Sequence, residues 1–256
     1  MGAPHDDTGA QVPVPARVRR VVSLVPSLTE AVAASAPGLL VGATDWCTHP
    51  ADLDVARVKG TKNPDVAAII ALRPDLVLAN AEENREPDLA ALRAAGVPVW
   101  VTAISTVDGA FASLRRVLAE GCGLEVPTWL EAAERAWAAH PSGAQVTARA
   151  AVPIWRRPWM VLGRDTFAGD VLARLGVANL FADHPDRYPK IPLDGIIAAD
   201  PDLVVLPDEP YRFTADDGPE CFPGRRIALV EGRDLTWYGP SMVDAPSRLL
   251  RRLAGN

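Results

Sequence analysis

Long apolar runs are missing from this 256-residue chain. No stretch nears the ~18 residues a membrane helix needs, so nothing in it is expected to span a bilayer. Cysteine is scarce, with Cys47, Cys122 and Cys221 far apart, so neither a disulfide framework nor a paired-cysteine metal site is indicated. A reducing compartment fits that usage. Lysine is almost absent, three residues against 23 arginines, and the net charge of −6 excludes a general nucleic-acid binder, which needs a basic surface. Tyrosine is rare as well, at three residues beside seven tryptophans. The signatures of common catalysts are missing too. There is no GxGxxG after a strand, no Walker loop, no HExxH and no GxSxG elbow.

What is present is globular, with 48% apolar and 23% charged residues and enough chain for one large or two small domains. Residues 1–16 carry Asp6, Asp7 and three prolines without a basic start or an apolar run, and are expected to form a disordered leader. With no secretory signal, the chain as it stands is expected in the cytoplasm, or in the periplasm or outside the cell if it has been trimmed.

Order is expected from Val18. Residues 18–25 read as a buried strand, and Ser27-Leu-Thr-Glu30 has the spacing of a capping box that opens a helix. Asn63-Pro64-Asp65 reads as a second helix start, ending at Pro74. Residues 76–78 form a short strand, 87–95 a helix closed by Gly96, and 97–101 another strand. The segment Ile69-Ile-Ala-Leu-Arg-Pro-Asp-Leu-Val77 then recurs as Ile196-Ile-Ala-Ala-Asp-Pro-Asp-Leu-Val204, with seven of nine positions identical. Repetition of helix, proline and strand implies two similar lobes. The expected fold is α/β: an N-terminal βα lobe over 17–105 and a C-terminal one over 150–256, with mainly parallel sheets and a ligand cleft between them. Helices within 106–149 bridge the lobes, one face carrying Val107, Phe111, Leu114 and Leu118, another Trp129, Ala133 and Trp137, whose tryptophans read as core.

Ligands of open α/β sheets sit beyond the carboxyl ends of the strands. The segments expected there are Pro26-Ser27, Asp45-Trp-Cys-Thr-His49, Glu82-Glu-Asn-Arg85, Ile154-Trp-Arg-Arg-Pro-Trp159, Pro210-Tyr211 and Thr236-Trp-Tyr-Gly239. Four of the seven tryptophans, Trp46, Trp155, Trp159 and Trp237, lie in them, and large rigid rings suit a flat conjugated ligand. Glu83, Asn84, Arg85, Arg156, Tyr211 and Tyr238 complete the candidate ligand-binding set. Arginine forks at 85, 156 and 157 fit an anionic ligand. Equally, Arg156 or Arg157 could pair with Glu82 or Glu83. Asp45, Cys47 and His49 alternate, so an extended segment would put them on one face, where a thiolate and an imidazole suit zinc. One cysteine and one histidine without a second ligand pair weigh against it.

Several stretches carry a family resemblance: Arg20-Val-Val-Ser-Leu-Val-Pro-Ser-Leu-Thr-Glu30, Gly42, Gly60-Thr, Ile70-Ala-Leu-Arg-Pro-Asp-Leu-Val77, Ala94-Ala-Gly-Val-Pro-Val99, Gly163-Arg-Asp-Thr, Leu175-Gly-Val-Ala-Asn-Leu-Phe181 and Ala199-Asp-Pro-Asp-Leu-Val204. Together they resemble the substrate-binding proteins of cobalamin and iron-siderophore ABC importers, from Arg17 onward. The resemblance implies two βα lobes on a rigid helix and a shallow cleft for a large metal chelate. Trp46, Trp155 and Trp237 would line it, and Arg85 and Arg156 would meet its polar groups. One acidic residue per lobe would dock on a permease. Asp194 matches the second-lobe position, whereas Ala67 stands at the first, with Asp65 nearby. The expectation is a non-catalytic binding protein for a ferric siderophore or a corrinoid such as cobalamin, without a covalently held cofactor. The alternative is a cytoplasmic metalloprotein or enzyme using Asp45, Cys47, His49 and Glu82 or Glu83.

Overall fold

The computed structural model describes residues 2–255. Its chain divides into two units: the first holds the chain up to Ala103 with Ala110–Glu131 and Tyr238–Pro240, the second Ile104–Gly109, Ala132–Trp237 and the chain from Ser241.

Unit 1 runs β1 (Val21–Ser23), α1 (Pro26–Ser35), β2 (Leu40–Ala43), β3 (Ala56–Arg57), a small antiparallel pair β4 (Lys59–Gly60) and β5 (Asn63–Pro64), α2 (Val66–Ala71), β6 (Leu76–Asn80), α3 (Glu86–Ala94) and β7 (Val99–Thr102). Its main sheet has the order β3-β2-β1-β6-β7, every pair parallel. The strands β1, β6 and β7 are buried throughout, as a parallel sheet covered on both faces requires. Val22, Leu24, Val77, Ala79, Val99 and Val101 form its core with Ile69, Leu89 and Leu92.

The capping box at Ser27 does not form. Pro26 takes the first turn of α1, because its fixed φ and missing N–H suit that place, and extended Val25 becomes the N-cap without a side-chain bond. Ser27 and Glu30 are buried inside the helix instead. At α2 the cap is Asp65, which accepts from the Ala68 amide at 3.0 Å, while Asn63 and Pro64 belong to β5.

The segment expected to be a disordered leader is folded. His5 bridges Gln11, and the buried Asp6 carboxylate accepts from the amides of Thr8 (2.9 Å) and Ala10 (3.0 Å), which shapes a tight turn. Asp6 and Asp7 then bind amides of β7 and the residue after it. Two carboxylates on backbone donors supply the order that composition hid.

Two helices follow, α4 (Val107–Arg116) and α5 (Thr128–Ala138), and the division between units falls inside each. Trp129 donates to Ser35 Oγ in unit 1, and buried Trp137 to the Met242 carbonyl in unit 2, both at 3.0 Å.

Unit 2 continues with β8 (Ala148–Ala151), a hairpin of β9 (Pro153–Arg156) and β10 (Trp159–Val161), α6 (Phe167–Arg174), β11 (Val177–Asn179), α7 (Leu193–Ala198), β12 (Leu203–Pro207), β13 (Arg226–Val230), α8 (Gly232–Thr236) and α9 (Ala245–Ala254). Its main sheet has the order β11-β8-β12-β13, again all parallel.

The nine-residue repeat has one physical content in both units. Each copy ends a helix, passes through a left-handed residue before proline (Arg73, φ 47°; Asp200, φ 52°) and enters a buried strand. The aspartate two positions on, Asp75 or Asp202, accepts from the backbone beside it: Arg19 and Arg20 at 2.7 and 2.9 Å, or Arg149 at 2.8 Å. These aspartates lock helix, turn and sheet together at the amino end of the strand.

Candidate functional site

At the carboxyl ends of its strands, unit 1 places the loops 44–49, 59–62 and 82–85, with Tyr238. Trp46 is 66% exposed, and its indole nitrogen lies beside Gly60, where a β-carbon would sit 3.4 Å from it. A β-carbon at Gly60 would be in ordinary contact with that ring but would collide with Asn63 Oδ1, so the glycine makes room for the Asn63 side chain. Lys62 donates to the Glu82 carbonyl, and Lys59 pairs with Asp65 at 2.9 Å, which together with the cap at Ala68 holds the Asp65 carboxyl below its ordinary range. Asn80 accepts from the amides of Glu82 and Glu83 (2.8 and 3.2 Å). Asn84 accepts from the Asn80 amide at 2.8 Å and donates to the Thr61 carbonyl at 3.0 Å. Buried Asn84 is therefore a brace for the loop, which leaves the Glu82 and Glu83 side chains half-buried and Arg85 exposed. Arg85 forms a two-pronged pair with Asp88 (2.9 and 3.2 Å) on the surface of α3. Tyr238 is buried; burial pushes its phenol well above the usual range, and the nearby charge of Glu83 adds to the rise.

The metal-ligand reading of Asp45, Cys47 and His49 fails on geometry. Asp45 is exposed whereas Cys47 is fully buried, its sulfur accepting from Thr29 at 3.0 Å and lying 3.2 Å from Thr44 Oγ1. Burial pushes that thiol up, so it stays protonated. His49 contacts Thr48 Oγ1 through Nδ1 at 3.1 Å. A turn at Thr44–Cys47 (3.1 Å between backbone groups) replaces the extended segment and turns the three side chains apart. Among the described residues no group of three His, Cys, Asp or Glu side chains could hold a metal.

Unit 2 builds its strand-end loops around the hairpin β9–β10. Trp155 is 40% exposed and meets Tyr211 edge to face, centroids 5.7 Å apart. Trp159 faces inward, stacked on Phe213 (6.0 Å, 13°) and edge-on to Phe222 (5.6 Å). Arg156 lies over the Trp159 ring and pairs with both Asp217 and Glu220, the latter at 2.6 Å. The Tyr211 hydroxyl donates to Asp217 at 2.6 Å. Trp237 is buried and hydrogen-bonds the Glu209 carboxyl, whose pKa is raised by burial and by the charge of Asp208. Gly232 is what admits Glu209 there, since any β-carbon at 232 would run into its side chain.

Of the four loop tryptophans, then, Trp46 and Trp155 are exposed, while half-buried Trp159 and buried Trp237 pack within unit 2. Arg156 pairs with carboxylates of its own unit. The residues missed were Asp217 and Glu220, which lie 61 and 64 positions beyond Arg156. Nothing in the local pattern joins them; only the repeated use of acids in 216–220 hinted at a cation's partners. Asp194 is exposed in the first turn of α7, whereas Asp65 is engaged by Lys59 and its own helix.

Two βα units, each with a parallel main sheet and aromatic strand-end loops, define a protein of the α/β class. The chain belongs to the periplasmic binding protein family, whose description matches residues 21–217. Members of that family are binding proteins that take small-molecule ligands and work with ABC permeases. Among relatives, the vitamin B12-binding protein of Pectobacterium carotovorum subsp. carotovorum is 25% identical over 210 residues, 77% of this chain and 74% of that protein. The vitamin B12-binding protein of Salmonella typhi is 26% identical over 194 residues, 73% of this chain and 71% of that one. Among solved structures, the periplasmic haem-binding protein BhuT in complex with two haems superposes with a TM-score of 0.74 at 26% identity, covering 92% of this chain and 97% of that one. BtuF of Vibrio cholerae, a periplasmic vitamin B12-binding protein, shares the fold with a TM-score of 0.71 at 20% identity, covering 93% and 97%. Among the described residues no helix is long and apolar enough to cross a membrane. The metalloprotein alternative is not favoured.

Proposed function

We propose that this chain is a non-catalytic binding component for a large flat metal complex with a neutral, amide-rich rim, a corrinoid of the cobalamin type. The carrying observation is made in each unit by itself: unit 1 carries exposed Trp46 and an arginine, Arg85, already engaged by a carboxylate, and unit 2 carries exposed Trp155 and an arginine, Arg156, engaged likewise. Indole faces stack on any conjugated or apolar plate. Guanidiniums closed by Asp88, Asp217 and Glu220 have little left for the carboxylates of a porphyrin or an anionic siderophore. Relatives that bind vitamin B12 support the same ligand class. Glu83, Tyr211 and, through the loops they brace, Asn84 and Tyr238 would shape the contact. Family membership supports a periplasmic location and an ABC permease as partner, with exposed Asp194 the candidate docking acid and Asp65 a weaker one.

Fluorescence titration of the purified chain with cyanocobalamin, haemin and a ferric catecholate tests this. Saturable quenching by the corrinoid is expected, with each of Trp46→Ala and Trp155→Ala weakening it about tenfold, the equivalent of ~1.4 kcal/mol. Silence toward all three would end the reading; a response to haemin or the siderophore alone would replace its ligand.

A further inference from the structure

Residues 4–12 form a hairpin that stands by itself: beyond the His5–Gln11 bridge, Asp6 N–H donates to the Ala10 carbonyl (2.9 Å) and Val12 N–H to that of Pro4 (2.8 Å). The hairpin is seated on the outer edge of β7, the last strand of the unit 1 sheet. There the Asp7 amide donates to the Val101 carbonyl at 3.1 Å, and Asp6 Oδ2 accepts from the Val101 amide at 3.2 Å. Asp7 fills a built carboxylate site. Its Oδ2 accepts from the Ala103 amide (3.0 Å) and the Ser113 hydroxyl (2.5 Å), and its Oδ1 from Arg116 (3.1 Å). Arg116 also donates to the His5 carbonyl and lies over the Trp100 ring.

We propose that this edge is an interaction surface for a second copy of the chain, whose own Asp6-Asp7 hairpin takes the same seat in a reciprocal arm exchange. Every bond holding the hairpin joins residues 94 or more positions apart. Its internal bonds travel with it. The contacts are therefore identical whether the arm is the chain's own or its neighbour's, and only the connecting segment decides between them. That segment is short and carries Pro13 and Pro15, which restrict its path. An open sheet edge with free donors is in itself a template for pairing, and the arm covers it in either state. A flexible tether would favour the chain's own arm up to about millimolar protein; a restricted one lowers that threshold.

The test uses the full chain and a variant lacking residues 14–16, too short to seat its own arm. Light scattering should find the shortened chain at twice the monomer mass, and adding Asp7→Asn or Arg116→Gln should return it to monomer. A shortened chain that stays monomeric, or a dimer indifferent to both substitutions, overturns the proposal. The unshortened chain gives an independent reading. Isotope-labelled and unlabelled copies incubated near millimolar concentration should yield mixed dimers by native mass spectrometry, depleted by Asp7→Asn; their absence counts equally against exchange.

Discussion

Unit 1 and unit 2 share a framework and differ in what decorates it. In both, a strand, a helix and a second strand follow the same order, and β1, β2, β6 and β7 correspond to β8, β11, β12 and β13 in the two parallel sheets. Yet unit 1 closes its last strand with the Asp6-Asp7 hairpin and leaves Trp46 nearly bare. Unit 2 inserts the hairpin β9–β10 after its first strand and packs an aromatic cluster beneath it. The repeat thus governs where strands end, and the insertions govern what stands there. A tryptophan on a strand-end loop is open where no aromatic ring packs on it, as at Trp46, and closed when the neighbours are Phe213 and Phe222.

Removing one ring from each unit should give the widest separation. Trp159→Ala is expected to cost about 3 kcal/mol in urea unfolding, the range for emptying an aromatic cluster, whereas Trp46→Ala should stay within about 0.5 kcal/mol. Equal effects would break the distinction between a packed and an open tryptophan.

The arginines repeat that contrast at a smaller scale. Arg156 is 16% exposed and lies over the Trp159 ring, so Arg156→Ala should cost about 1 kcal/mol, chiefly from lost packing on that ring, since Asp217 and Glu220 are exposed enough to be solvated without it. Arg85, 57% exposed beside Asp88, should cost no more than about 0.5 kcal/mol when truncated. A large loss at Arg85 would mean that its fork does more than cover α3.

At a strand end of unit 2, half-buried Glu209 has a raised pKa, with burial its main cause. Because the folded chain keeps that proton to a higher pH than the unfolded one, stability should fall as pH rises from the ordinary glutamate range through the raised value, and level off beyond it. Urea midpoints of the parent and Glu209→Gln across about pH 4 to 8 check this: the variant should lose that part of the decline. Parallel curves would remove Glu209 from the account.

Much of the framework was legible because it is written locally. The repeated Ile-Ile-Ala-x-x-Pro-Asp-Leu-Val carries its own helix end, turn and strand, and proline and glycine punctuate the rest. The strand-end loops could be located for the same reason. What lay beyond reach was orientation. Whether Trp159 or Trp155 faces inward depends on Phe213 and Phe222, more than fifty residues away, and the partners of Arg156 are as distant. Composition misled at the amino terminus, where Asp6 and Asp7 signal disorder until β7 offers them amides. Alternation misled at Asp45, Cys47 and His49, because a turn breaks the extended geometry that the pattern assumes.

The finest comparison concerns Asp75 and Asp202, the same letter of the repeat. Asp75 accepts two backbone amides and Asp202 one, so Asp75→Ala should cost about 1 kcal/mol and Asp202→Ala somewhat less. The two losses should add in the double variant, since each aspartate closes a turn within its own unit and shares no partner with the other. Denaturant midpoints of the three variants decide it. Additive losses in that order would show the repeat acting twice, independently, as a local lock; a loss at one site that vanished in the presence of the other substitution would show one copy to be a relic of sequence without a share in stability.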